Sequence, residues 1–205
     1  MDNRIINQPE LDVIFYEEFT QLQLQHIFNI IYILAKYMFL NSDMLMLIYQ
    51  QEYNEKMGLS YLKRAAKEKL IIEYQYDQFE KTEMKIYYYA LKASTLLYLK
   101  QNQIPFLKMP PYAAYKEKSR ILTYNQYVID KGYEPNIIIP VDPGLRYFIT
   151  KQQKICYFPE IVSEDTIQGE LSRRKIDIEP TFEQIDEPLI ELGKHTRAVN
   201  PKNMD

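Results

Sequence analysis

Between Thr20 and Gln103 the spacing of apolar residues changes period in a fixed order, and few folds accommodate that order. Leu22, Leu24, Ile27, Ile30, Ile31, Leu34 and Met38 recur every three or four residues, the spacing of a helix with one buried face. Thr20 is placed to cap its start. After Phe39 and Leu40, Asn41 or Ser42 can cap a second, short helix carrying Met44, Leu45, Leu47, Ile48 and Tyr49 to about Gln51. A polar turn with Asn54 and Gly58 leads into a third helix from Leu59 to Lys69. It has Leu62, Ala65, Ala66 and Leu70 on one side and Tyr61, Arg64, Lys67 and Glu68 largely on the other. The period then drops to two. Ile72, Tyr74 and Tyr76 alternate with Ile71, Glu73 and Gln75, the stretch from Asp77 to Glu83 is polar, and Met84 to Leu91 alternates again, the pattern of a hairpin. A closing helix from about Ala93 to Gln103 returns Leu96, Leu97 and Leu99 to the same core.

Pro105, Pro110 and Pro111 exclude regular helix and mark a boundary. Beyond them Tyr115 to Asp130 reads as one helix, stopped by Gly132 and Pro135. Short strands are expected at Ile137–Val141, Arg146–Thr150 and Ile155–Phe158, the first pair joined by an Asp142-Pro143-Gly144 turn. From Ser163 onward apolar residues thin out and acidic ones accumulate, so the tail is expected to be extended or disordered. The expected organisation is an arm at 1–19, a first domain at 20–104, a linker at 105–114, a small helix-plus-strands domain at 115–160 and an acidic tail at 161–205. The fold class is α+β.

With 46% hydrophobic and 26% charged residues, the chain falls among globular sequences rather than disordered ones. The apolar run from Ile27 to Leu40 is interrupted by Asn29 and Lys36 and is shorter than the roughly 20 residues of a membrane-crossing helix. No membrane association is expected. The single cysteine, Cys156, cannot form an intramolecular disulfide, and no charged-then-apolar leader opens the sequence, so a cytoplasmic location is expected. The formal net charge of −3 averages over unlike regions: the first 19 residues and the last forty or so lean acidic, while Lys63, Arg64, Lys67 and Lys69 gather in one place and Lys116, Lys118 and Arg120 in another.

The run from Gly58 to Lys100, GLSYLKRAAKEKLIIEYQYDQFEKTEMKIYYYALKASTLLYLK, resembles the stretch of winged helix-turn-helix proteins in which a recognition helix passes through a leucine-isoleucine pair, here Leu70 and Ile71, into the first wing strand. Tyr88, Tyr89, Ala90 and Leu91 followed by Lys92, Ala93, Ser94 and Thr95 are similar to the family's passage from the second wing strand to a closing helix. Many members carry glycine just before the entry leucine; this chain has Lys69. The layout also resembles replication-relaxation-like proteins and conjugation-accessory proteins of plasmids and phages.

The resemblance implies an N-terminal winged helix-turn-helix domain, a small α/β extension and a largely irregular acidic tail. It also implies binding to double-stranded DNA by a homodimer, in transcription regulation or in the replication, segregation or transfer of a mobile element. The third helix would enter the major groove and the hairpin would lie along the backbone or in the neighbouring minor groove. Ser60, Tyr61, Lys63, Arg64 and Lys67 would face DNA: Arg64 has the fork for guanine, Lys63 and Lys67 suit phosphates, and Ser60 or Tyr61 can donate to a phosphate oxygen. Lys81 and Lys85 on the hairpin are further candidates, opposed by neighbouring Glu80 and Glu83.

Each reading has a plainer competitor. Lysines on a helix are commonly just a solvated face, Tyr87, Tyr88 and Tyr89 more often pack across strands than stack on bases, and Lys116, Lys118 and Arg120 read as a charged helix face. A different function is an adaptor without direct DNA contact, capturing a protein partner through the C-terminal region. No catalytic residue, metal ligand or cofactor is expected: His26 and His195 lack evident partners, and no phosphate loop, nucleophile elbow or zinc motif occurs. Glu160, Glu164, Asp165 and Glu170 are taken as solvated carboxylates.

Overall fold

The computed structural model describes residues 20–77, 85–108, 115–139, 142, 144–192 and 195–198. Among them the chain is α+β, with six helices and two sheets. Helix α1 spans Gln21–Tyr37 and opens with a capping box: the Gln23 amide donates to Thr20 Oγ1 and the Thr20 amide to Gln23 Oε1. It stops where Met38 takes φ 63. Strand β1, Phe39–Asn41, follows, and Asn41 accepts the Met44 amide at 2.8 Å to cap helix α2, Ser42–Tyr53. The sequence pattern did not announce β1. Three residues are too few for an alternation to register, and only pairing with a strand some fifty residues on reveals it.

Helix α3 covers Leu59–Lys67, strands β2 and β3 are Ile71–Asp77 and Lys85–Leu91, and helix α4 is Ala93–Gln101. The first sheet is antiparallel in the order β1-β3-β2, with Phe39 opposite Ala90 and Ile71 opposite Leu91. It is covered on both faces. Leu40, Ile71, Tyr89 and Leu91 lie buried on the face against which α1, α2 and α3 pack. Phe39, Tyr76, Tyr88 and Ala90 lie buried on the other, where Phe39 stacks on Tyr88 and Tyr76 meets Tyr88 edge-on. In α4 the core residues are Thr95 and Leu99, not Leu97, which is 56% exposed; the Thr95 hydroxyl donates to Leu70 O at 2.6 Å and turns the helix by that anchor.

Helix α5, Tyr115–Lys131, covers the second face of this sheet. Asn125 is fully buried, and its Nδ2 donates to Tyr37 O at 2.9 Å and Phe39 O at 2.8 Å, satisfying two carbonyls at the bend between α1 and β1. The opposite side of α5 meets the second sheet: β4 (Tyr147–Ile149), β5 (Lys154–Tyr157) and β6 (Thr181–Gln184), in that order. Strands β4 and β5 are antiparallel, whereas β5 and β6 are parallel and joined through helix α6, Glu164–Arg173. Phe148 and Cys156 turn to α5, where the Phe148 ring stacks 4.1 Å from that of Tyr124. Tyr147, Ile149, Ile155 and Tyr157 turn the other way and form a smaller core with Ile167 and Leu171 of α6.

Three expectations are corrected here. Residues 137–139 form a bend and not a strand, because Asn136 Oδ1 accepts the amides of both Ile138 and Ile139 and curls the backbone. The tail is not irregular over 163–184: Ser163 caps α6, whose Ile167 and Leu171 supply the apolar face, and β6 pairs with β5. Residues 115–160 do not have a core of their own, since α5 is apolar on two sides and one continuous cluster joins Ile27, Leu45, Leu62, Ile121, Tyr124, Phe148 and Leu192. A last strand, β7, His195–Ala198, pairs antiparallel with β2 and extends the first sheet to β1-β3-β2-β7. The arm at 1–19 lies outside the described residues.

Candidate nucleic-acid interface on helix α3

Helix α3 is short and strongly two-sided. Leu62 and Ala65 are buried and fix it to the core, while Ser60, Lys63 and Lys67 are exposed on its outer side. Its amino end begins at Gly58, which makes no side-chain cap. Its carboxyl end closes without glycine: Lys69 takes φ 59, its amide donates to Ala66 O and the Leu70 amide donates to Ala65 O, both at 3.0 Å. This is a Schellman closure with a lysine in the left-handed position. The helix therefore ends at Lys67, two residues before the sequence pattern placed it, and the family's glycine position is filled by a residue whose Cβ makes that geometry costly.

The five residues expected on α3 do not share one environment. Lys63 and Lys67 are exposed, as is Ser60. Arg64 is half-buried and its Nε lies 3.0 Å from Glu68 Oε1, so a base edge or phosphate engaging the guanidinium would compete with that carboxylate. Tyr61 is turned inward: its ring stacks on His26 with centroids 4.4 Å apart and 28° between planes. The Tyr61 assignment as a group facing outward is thereby corrected, for the apolar side of the helix is wide enough to include it. Beneath the stack, the Tyr49 hydroxyl lies 2.5 Å from His26 Nδ1 and accepts Asn29 Nδ2 at 3.1 Å. His26 and Asn29 thus have partners invisible in sequence, and they bind α1 to α2 directly under the candidate helix.

On the hairpin, Lys81 lies outside the described residues, and Lys85 is the first residue of β3. Tyr88 and Tyr89 are 3% and 4% exposed, which removes them as base-stacking groups, while Tyr87 is at the margin with 36%. The second basic cluster is not a phosphate surface. Lys118 Nζ sits 4.4 Å from the Tyr74 ring centroid and 5.8 Å from that of Phe39, and donates to the Tyr76 hydroxyl at 3.3 Å; burial pushes its pKa below the usual lysine value. Arg120 Nη1 donates to Gly144 O at 3.0 Å, and Lys116 alone of the three is exposed.

The carboxylates of the second half are likewise structural. Arg146 bonds Asp142, whose side chain is fully buried, and both oxygens of Glu170, while Tyr127 and Tyr133 donate to Glu183 at 2.9 Å each. Burial raises the Glu183 pKa, but the hydrogen bonds from both tyrosines and from Lys154 lower it further, leaving it below the ordinary glutamate value. Burial pushes the Cys156 thiol up to about 12, so it is a packing residue and not a thiolate. Among the described residues no group of histidine, cysteine or carboxylate side chains could hold a metal ion, and no helix is long and apolar enough to cross a membrane.

Comparison with models of known protein families, with curated proteins and with solved structures finds no match.

Proposed function

We propose that this chain is a winged helix-turn-helix protein that binds double-stranded DNA with α3 as its recognition helix. The element order α1-β1-α2-α3-β2-β3 and the sheet order β1-β3-β2 support the reading, because they set α3 across a three-helix unit with a hairpin beside it. The observation that carries it is the two-sidedness of α3: Leu62 and Ala65 anchor the helix, and Lys63, Lys67 and Ser60 stand outward with nothing of the described chain over them. Lys63 and Lys67 take phosphates, and Arg64 reads a guanine after exchanging Glu68 for the base. The protein works as a homodimer in the cytoplasm, as a regulator or as an accessory factor in replication, segregation or transfer of a mobile element.

The test is duplex binding measured across salt concentrations. Replacing Lys63, Arg64 and Lys67 together by alanine is expected to lower affinity on the order of 100-fold or more and to reduce the salt slope by about 2 to 3. The helix should survive, since all three side chains are at least partly exposed. Unchanged affinity in the triple variant would overturn the reading. No binding by the parent chain at low salt, with a stoichiometric protein partner on α3, would replace it by an adaptor, which the net charge of −3 favours.

A further inference from the structure

Strand β7 is the least expected element of the fold, and its position and composition together suggest what it is for. The register sets Tyr74 opposite Ala198 and Tyr76 opposite His195, with a bulge between, so β7 runs antiparallel along the outer edge of β2. Helix α3 packs over that same side of the sheet, while α2 lies over the β1 side. Tyr74 stands four residues beyond Leu70, about 13 Å of strand from the carboxyl end of α3. A duplex carries one negative charge per roughly 1.7 Å of axis, so a surface of that extent spans several phosphates.

Composition separates this strand from its surroundings. From Asp77 to Lys85 the hairpin holds Asp77, Glu80 and Glu83 against Lys81 and Lys85, which leaves the wing itself with a formal charge of −1. Strand β7 reads His195-Thr196-Arg197-Ala198, with a full positive charge on Arg197 and no carboxylate. The acidic residues of the C-terminal region stop before it: Glu187 and Glu191 precede Leu192, which is buried and whose carbonyl accepts the Tyr115 hydroxyl. Leu192 therefore tethers the strand to α5 only three residues from its first residue, so that it is delivered to β2 by the folded second half.

We propose that β7 adds a phosphate-contacting edge to the duplex-binding surface, with Arg197 supplying the positive charge that the hairpin lacks. This rests on the reading of α3 as a recognition helix. The contact is to backbone, so it raises affinity uniformly across sequences and carries no base preference.

Arg197→Ala, Arg197→Lys and Lys63→Ala/Lys67→Ala are compared with the parent chain for duplex affinity as a function of salt. Arg197→Ala should weaken binding on the order of five-fold near 0.1 M salt and lower the slope of log K against log salt by about 0.9, equally on preferred and scrambled duplexes. Arg197→Lys should keep the parent slope. Amide exchange at Tyr74 and Tyr76, unchanged in Arg197→Ala, establishes that the strand is still paired. If the parent chain binds DNA and the α3 variant does not, yet Arg197→Ala keeps full affinity and slope, the inference about β7 is overturned and the reading of α3 stands. If parent and α3 variant are equally without binding, both are overturned.

Discussion

Helices α3 and α5 each carry three basic residues within five positions, Lys63, Arg64 and Lys67 in one and Lys116, Lys118 and Arg120 in the other. In the folded chain they have opposite uses. Helix α3 rests on the core by Leu62 and Ala65 and holds Lys63 and Lys67 in solvent. Helix α5 is buried at Ser119, from Ile121 to Asn125, and at Tyr127 and Val128, so it has little outer face to present. Its Lys118 becomes a strut against Tyr74, Phe39 and Tyr76. Local charge density in a sequence therefore does not distinguish a surface awaiting phosphate from cations enclosed by aromatic rings. What distinguishes them is the number of sides on which the helix is packed.

The largest expected effect that sharpens this contrast is at Asn125, the residue by which α5 grips the first sheet. Asn125→Ala leaves the carbonyls of Tyr37 and Phe39 without their donor in a fully buried site, and a loss of about 2 to 4 kcal/mol of unfolding free energy is expected by denaturant titration. A change under about 0.5 kcal/mol would mean that α5 is not anchored there. Next comes the pair of lysines. Lys118→Ala should cost about 1 to 2 kcal/mol through lost cation-π contact and stem packing. Lys67→Ala, on the exposed face, should stay within about 0.5 kcal/mol. Equal costs for the two would erase the distinction between the helices. The smallest effect has the opposite sign: Lys69→Gly removes the Cβ from a left-handed position and should raise stability by about 0.5 to 1 kcal/mol, visible as an upward shift of Tm. A decrease would show that the lysine side chain contributes more than its backbone strain costs.

The same variants separate stability from binding. Lys118→Ala is expected to leave the salt dependence of duplex binding untouched, because its ammonium is already committed inside the protein. Lys67→Ala is expected to lower the slope by about 0.9 with no loss of folding stability. A salt slope that responds to Lys118 and not to Lys67 would exchange the roles assigned to the two helices.

Much of the first half was legible in residue order. The helices at Gln21–Tyr37, Ser42–Tyr53 and Leu59–Lys67 and the strands at Ile71–Asp77 and Lys85–Leu91 follow from apolar spacing, and Thr20 and Asn41 cap where their side chains allow. Strand β1 was missed because a three-residue strand carries no period. The expected strand at Ile137–Val141 failed over the described residues 137–139 because Asn136 bends a β-branched run that would otherwise extend. On α3, charge alone placed Ser60, Lys63 and Lys67 outward, but Tyr61 turned in because an aromatic ring at the margin of an apolar face gains more by stacking on His26 than by remaining in water.

What residue order settled by itself is whatever depends on neighbours within a turn or two: the helix periods, the capping residues, the hairpin, the separation of Lys63 and Lys67 from Leu62 and Ala65. Tertiary structure alone decided which of two equally basic helices would be enclosed, that an acidic tail would contribute α6, β6 and β7, and that the second half would share a core with the first. The physical reason is that burial is a property of pairs of surfaces. A helix such as α5 or a strand such as β7 acquires its role only when residues distant in the chain, Phe39 and Tyr37 in one case and Tyr74 and Tyr76 in the other, arrive to cover it.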